Sequence, residues 1–498
     1  MNARALALDA LQRWRRGTEF ADRIVGEIFA RSALASADRA FALELFYGVL
    51  RNLTLLDFWI AQLRSEPIDD GTRDLLRLGL YQIMLIDTAA HAAVFETVEL
   101  APRRARKLIN AVLRRALREK EQLDETARRQ ALHILWSEPE FLVEKWSRQF
   151  GREATIELCA WNNRPAPVYA RINRLKTNMN DFLSRHHPGH LLPERENFVY
   201  FPGARTAMQA GDCYVQDPST MVACDLLAPR PGERVLDACA APGGKTAYLA
   251  ELMQNQGNII AADRDAERLV RLRENLVRLG VRNAEVVQCD WRDPGSIESC
   301  GLGERSFDKI LLDAPCSNTG VMRRRVDVRW RLRPNEFERM AVQQLEILRA
   351  VAPFLKEEGS LVYSTCSLEP EENGALVEKF LESQPDFGLT NTKDSLPFRD
   401  HFDGAYAAEC RRFALRSAGQ RVARLAARSP ASSTTRNRAR AHARDRSVAI
   451  TSMSTSASTS TSTIRSTSRT AWVASTLPGG MIPTYARCPF RQARLASG

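Results

Sequence analysis

The sequence predicts an α/β protein, in which a parallel sheet covered by helices on both faces follows an all-helical region and a small α/β connector. Three observations carry this. Between residues 226 and 408, strand-length apolar runs alternate with helix-length amphipathic ones, the pattern of crossover units in a parallel sheet. Residues 1–135 show only helical periodicity, as in Leu43, Phe46, Val49, Leu50 and Leu53, and again in Leu108, Ile109, Val112, Leu113 and Ala116. Residues 136–225 mix both signals, with a short extended run at Val168–Ile172 and a loop through Pro188 and Gly189.

The strands of the sheet are predicted at Arg234–Asp237, Asn258–Asp263, Glu285–Asp290, Phe307–Asp313 and Ser360–Thr365, with helices over Ala266–Leu279 and Glu336–Phe354 among those between them. Residues 409–498 change character. Lysine disappears, acids nearly so, and Thr451–Thr463 is almost entirely serine and threonine. Such a composition buries too little apolar surface to offset its ordering entropy, so this tail is expected to be disordered.

Charge has to be located before it is interpreted. The chain of 498 residues carries a formal +11, but from Cys410 onward sixteen arginines face one acid, Asp445. The tail alone accounts for +15, which leaves residues 1–409 at −4. Bulk charge therefore says nothing for nucleic-acid binding by the folded part; only local basic stripes do. Ten cysteines stand without a CxxC pair or a regular framework, which predicts reduced thiols and neither disulfides nor a metal site. No run approaches the roughly 18 apolar residues of a membrane span. Met1–Trp14 carries Asp9 in a helical pattern and not a signal peptide's apolar stretch, so the expected compartment is the cytoplasm, with no membrane partner. The oligomeric state is not legible.

In an open parallel sheet, ligands bind beyond the carboxyl ends of the strands. The first strand runs into Asp237, Ala238, Cys239, Ala240, Ala241, Pro242, Gly243, Gly244, Lys245 and Thr246. Small residues and paired glycines let a ligand approach the backbone at a helix N-terminus. A phosphate-binding loop needs glycine at position 239, which is Cys239, and a GxGxxG fingerprint is interrupted by Ala241 and Pro242. Asp263 closes the second strand about twenty residues after the glycine turn, where a carboxylate accepts from both ribose hydroxyls. Asp290 closes the third, in position to receive an adenine amino group. Turn and acids together point to an adenosyl cofactor, S-adenosylmethionine.

The fourth strand delivers Asp313, Ala314, Pro315 and Cys316; the fifth delivers Thr365, Cys366 and Ser367. Two thiols at neighbouring strand tips suit methylation of an unactivated pyrimidine carbon. A thiolate adds to carbon 6, carbon 5 becomes nucleophilic and takes the methyl group, and the adduct eliminates. Asp313 is placed to hydrogen-bond N3 of the base. A helix expected to open near Pro370 and Glu371 presents its N-terminal dipole to Cys366, which lowers a thiol's pKa.

At these residues the chain resembles the bacterial ribosomal RNA small-subunit methyltransferase B family, also called Sun or Fmu. The resemblance covers residues 1–408. Asp38–Phe41 and Ile109–Arg115 resemble helices of the NusB RNA-binding domain, and Arg171–Thr177 and Gln216–Ser219 resemble the family's connector. It implies a Rossmann-like methyltransferase domain over 226–408, a NusB-like domain over 1–135 and a connector over 136–225. It further implies cofactor contacts at Cys239 through Lys245, Asp263, Asp290 and Asp313, with Cys366 as nucleophile and Cys316 assisting release of the methylated base. The implied substrate is a cytosine of 16S ribosomal RNA. The same chemistry on transfer RNA is the alternative that the catalytic region leaves open, and the NusB-like region speaks for the ribosomal substrate. A noncatalytic RNA-binding assembly protein would lack Cys366, Asp313 or the glycine turn, and all are present. Arg323, Arg324, Arg325, Arg329, Arg331 and Arg333 with Trp330 are expected to meet phosphates and a stacked base beside the site, the target base being unpaired or flipped.

Overall fold

The computed structural model describes residues 2–414 apart from 87, 188, 193 and 194; most of the tail expected to be disordered lies outside the described residues. The first 135 residues fold as helices only, from Ala3–Arg16 to Leu132–Leu135. Their periodicity explains their packing. In the helix Arg103–Arg118, Ala105, Ile109, Val112, Leu113 and Ala116 are buried, while Arg103, Arg104, Lys107, Arg114, Arg115 and Arg118 lie on the exposed side. The helix Asp70–Met84, capped by Asp69 accepting from Thr72 N at 2.9 Å, is buried along almost its whole length.

Two further helices, Glu140–Phe150 and Arg152–Asn162, lead into a small antiparallel sheet of β1 (Tyr169–Ile172), β2 (His190–Leu191), β3 (Phe198–Tyr200) and β4 (Cys213–Val215) in the order β2-β3-β1-β4. Ala170, Ile172, Val199 and Cys213 meet Phe182 of the helix Met179–His186 in its core.

The large sheet contains β5 (Arg234–Asp237), β6 (Asn258–Asp263), β7 (Ala284–Gln288), β8 (Phe307–Asp313), β9 (Leu355–Thr365), β10 (Phe387–Ser395) and β11 (Ala405–Arg412), ordered β10-β11-β9-β8-β5-β6-β7. Five of these strands are parallel, as the alternating pattern predicts. To the expected parallel strands the structure adds β10 and β11, which run antiparallel. β10 is an edge strand whose central residues face solvent, so it lacks the apolar run that marks a strand buried on both faces. β11 also carries the sheet past the predicted boundary at 408. The third strand ends at Gln288, two residues before Asp290, and the fifth begins five residues early at Leu355. The chain order reverses between β5 and β8, so the cleft beyond their carboxyl ends is the switch point of the sheet.

The segment after the Pro-Cys loop joins the parts together, which corrects its expected role as an RNA contact. Arg323 is buried, donating to Asp403 at 2.7 Å and Asp217 at 3.2 Å, and its guanidinium sits 3.8 Å from the centre of the Trp161 ring. Arg324 pairs with the same two acids. Arg329 is fully buried against Glu138 at 3.1 Å. Val326 enters the helical core, Trp330 Nε1 donates to Leu50 O at 2.9 Å, and Arg331 donates to Thr18 O at 2.8 Å. Only Arg325 and Arg333 of the six are exposed. A cluster of arginines reads as a charged loop in sequence because its acidic partners, Glu138, Asp217 and Asp403, are distant along the chain.

Candidate active site

β5 is buried through Asp237 and turns over Ala238–Gly243 into the helix Gly244–Leu252. The turn requires its glycines. Gly243 sits at φ +103°, and a Cβ there would lie 2.7 Å from Leu272 Cδ1; one on Gly244 would lie 2.7 Å from the Tyr214 ring. The loop is thus pinched between the helix Ala266–Leu279 and β4. Three other groups fix it. Asp263 Oδ2 accepts from Ala241 N at 3.1 Å, Trp291 Nε1 donates to Ala238 O at 2.7 Å, and Asp237 Oδ2 accepts from Thr246 Oγ1 at 2.7 Å. Burial pushes the Asp237 pKa up to about 7. Burial likewise raises the Cys239 thiol. Asp290 is half-buried just beyond β7, with Oδ1 accepting from Arg292 N at 3.1 Å.

Across the switch point, Asp313 ends β8 and Lys245 rises from the first turn of the helix after β5. Their Nζ–Oδ2 distance is 2.8 Å. Burial opposes the lysine's charge, but the Asp313 carboxylate outweighs it and raises the ammonium pKa. β8 and β9 pair in parallel, Asp313 opposite Ser364, so Cys316 and Cys366 emerge side by side with their sulfurs 3.1 Å apart. Cys366 Sγ also donates to Asn318 Oδ1 at 3.3 Å. The Cys316 thiol is pushed far up by its hydrogen bond to Cys366, by burial and by the Glu372 carboxylate. The expected helix dipole at Cys366 is corrected: Pro370–Glu372 is a single 3-10 turn, and the α-helix starts only at Gly374. Among the described residues the cysteines are free thiols, and no cluster of His, Cys, Asp and Glu could hold a metal.

Comparison with known proteins agrees with this geometry. A protein named ribosomal RNA small subunit methyltransferase B from Erwinia tasmaniensis is 38% identical over 406 residues, 76% of this chain and 92% of its own. The chain belongs to the ribosomal RNA small subunit methyltransferase B family. A Bacillus subtilis protein named as a probable member is 33% identical over 405 residues, 78% of this chain and 89% of its own. Residues 224–409 match the family model of the 16S rRNA methyltransferases RsmB/F, 1–118 that of the NusB family, and 138–187 that of the ferredoxin-like domain of RsmF/B-like methyltransferases. The crystal structure of PH0851 shares the fold, with a TM-score of 0.66 and 24% identity over 83% of this chain and 99% of its own.

The enzyme is thus a ribosomal RNA methyltransferase whose cofactor is S-adenosylmethionine. The loop fits that cofactor on its own geometry: its two glycines add no side chain to the turn, and among the described residues the buried Asp237 Oδ1 has no hydrogen-bond partner. The structure brings Lys245, Asp313, Cys316 and Cys366 to neighbouring strand tips. Asp263 lies beneath the glycine loop and Asp290 at its far side. Lys245, counted with the cofactor loop in the sequence, turns instead to Asp313. Trp291 and Thr246 hold the loop and Glu372 lies against the cysteine turns, contacts that sequence reasoning missed. Trp291 directly follows the strand-end acid Asp290, the one signal available for it; the others have only tertiary partners.

Proposed function

We propose that this methyltransferase modifies carbon 5 of a cytosine in 16S ribosomal RNA through a covalent adduct on Cys366. The single observation that supports this most is the pair of sulfurs 3.1 Å apart next to the Lys245–Asp313 ion pair. Two thiols and a carboxyl group at one cleft suit addition and elimination across the 5,6 bond of a pyrimidine. Its hydrogen bond to Cys366, burial and the Glu372 carboxylate hold Cys316 as the thiol, and this favours Cys366 as the attacking sulfur.

In this reading Cys366 Sγ bonds to carbon 6 and the displaced electron pair makes carbon 5 nucleophilic. Asp313 relays a proton from Lys245 to N3 as negative charge develops on the ring, and takes it back when the adduct eliminates. S-adenosylmethionine supplies the electrophilic methyl group. Loss of the carbon 5 proton then re-forms the double bond, the sulfur–carbon bond breaks with its electrons returning to Cys366, and Cys316 assists this release. Ala240–Gly244 receive the cofactor on their backbone. Asp263 spends one lone pair of each oxygen on Ala241 N and Asp265 N, at 3.1 Å each, and Arg268 Nη1 stands 3.4 Å from its Oδ2, so a ribose hydroxyl is received on Oδ1 and in place of the arginine on Oδ2. Asp290 serves the adenine.

The arginine-rich segment being structural, RNA recognition passes to other cations. The exposed side of the NusB-family helix Arg103–Arg118 offers Arg103, Lys107, Arg114 and Arg118 along one face, a stripe that suits the phosphates of a folded RNA. Among the described residues no helix is long and apolar enough to cross a membrane, in keeping with work in the cytoplasm. The test is transfer of labelled methyl from S-adenosylmethionine to unmodified 16S ribosomal RNA, with transfer RNA in parallel. Incorporation mapped to 5-methylcytosine in the ribosomal RNA is the expected result, and label in transfer RNA alone would overturn the substrate.

A further inference from the structure

Glu372 is fully buried, and among the described residues no cation forms an ion pair with it. Burying a carboxylate this way costs free energy unless donors surround it. The donors are present, and they come from the turns that follow both cysteines. Glu372 Oε2 accepts from Ser317 N at 2.9 Å and Gln344 Nε2 at 2.8 Å. Its Oε1 accepts from Ser367 Oγ at 2.7 Å and also from Ser317 Oγ. Ser317 directly follows Cys316, and Ser367 directly follows Cys366. One side chain therefore holds both turns.

We propose that Glu372 is a positioning residue for methyl transfer, clamping the turn after β8 to the turn after β9 so that the Cys316 and Cys366 sulfurs stay in contact. The proposal rests on the covalent reading above. Ser317 N and Gln344 Nε2 can only donate, so a glutamine here would turn its NH2 toward the two serine hydroxyls, which would have to reverse and accept, and the negative charge that strengthens all four bonds would be lost. Backbone contacts support the same geometry. Gly320 N donates to Cys366 O at 2.9 Å, and a Cβ on Gly320 would lie 2.6 Å from that oxygen, so the two loops meet main chain to main chain. The negative charge of Glu372 also opposes a negative charge on Cys316.

The test reads the sulfur contact without methyl transfer. Diamide, an azo oxidant, takes two electrons and two protons from a pair of thiols, forming one S–S bond and a hydrazine. Applied to the full-length protein and followed by peptide mapping, it closes the Cys316–Cys366 bond rapidly in the parent enzyme. Glu372→Gln is expected to slow that closure by about tenfold or more and to lower kcat by a similar factor, with KM for RNA and cofactor within about twofold. Closure between Cys289 and Cys300, neighbouring thiols that Glu372 does not touch, is the internal control and stays unchanged. If Glu372→Gln does not fold, the Ser317→Ala/Ser367→Ala double variant keeps the carboxylate, removes its hydroxyl donors and carries the same expectation. Unchanged closure in a folded variant overturns the clamp. Fast closure in a parent enzyme that forms no adduct on 5-fluorocytosine RNA refutes the covalent reading and leaves the clamp standing.

Discussion

Lys245 Nζ and Asp313 Oδ2 meet at 2.8 Å across the point where the strand order of the sheet reverses. The pair links the helix that follows the glycine loop to the strand that ends in Asp313. Lys245→Met removes the cation and leaves Asp313 without its partner, so the carboxyl group loses both orientation and charge compensation. The expected outcome is a fall in kcat of about 10²–10⁴ with cofactor affinity nearly unchanged, checked by single-turnover methyl transfer beside calorimetric binding of S-adenosylmethionine. A variant that loses cofactor binding instead would place Lys245 in the cofactor site, as the sequence alone suggests.

The two cysteines separate by what accumulates. Cys366→Ala leaves no sulfur to attack carbon 6, so methyl transfer and adduct formation are both expected to vanish. Cys316→Ala keeps the attacking sulfur and loses the release step, so protein is expected to remain bound to RNA through a bond that survives denaturing electrophoresis. With 5-fluorocytosine RNA, the reverse pattern would transfer the nucleophile role to Cys316.

What was legible in the sequence follows a physical division. β5, β6 and β8 and the helix Ala266–Leu279 are found where the sequence places them, because strands buried on both faces and an amphipathic helix announce themselves in local hydrophobicity. The gathering of Asp313, Cys316 and Cys366 was legible for the same reason, since the strands β8 and β9 that lead to them pair side by side. β10 and β11 escaped: one is polar at the edge, and the other, Ala405–Arg412, has no β-branched residue and ends in two arginines. The Arg323–Arg333 segment was misread because side-chain charge is local information, whereas its neutralisation by Glu138, Asp217 and Asp403 is a property of the folded chain. Glu372 was invisible for the converse reason, a buried acid in an acidic run.

That misreading yields a discriminating pair of variants. Arg329→Met strands Glu138 as a buried, unpaired carboxylate, whose own pKa burial already raises. A loss of about 3–5 kcal/mol in unfolding free energy is expected, with RNA affinity intact in the protein that folds. Arg103→Glu/Lys107→Glu/Arg118→Glu touches only exposed side chains, so stability should move by less than about 0.5 kcal/mol per site. Its RNA affinity should fall, and the slope of log K against log salt should flatten by about 2–3, one phosphate contact per cation removed. Denaturant unfolding and salt-dependent binding, run on both variants, check the two halves together; an RNA defect in Arg329→Met alone would return the segment to the RNA interface.

The last consequence concerns pH. Burial raises the folded-state pKa of Asp237 to about 7, against about 3.9 for an unfolded aspartate. Because the folded pKa is the higher one, the folded state holds the proton more tightly. The associated stability is fully present below about pH 4, is lost as pH rises from there to about 7, and stays lost above that. The full span corresponds to an effect on the order of 3–4 kcal/mol. Asp237→Asn keeps an acceptor for Thr246 Oγ1 and has no proton to lose. It should therefore gain stability over the parent by up to that amount at pH 8, and the gain should shrink toward zero near pH 4. Urea unfolding of the two cofactor-free proteins across this range decides it, since a difference that does not vary with pH would show that Asp237 does not titrate between the folded and unfolded states.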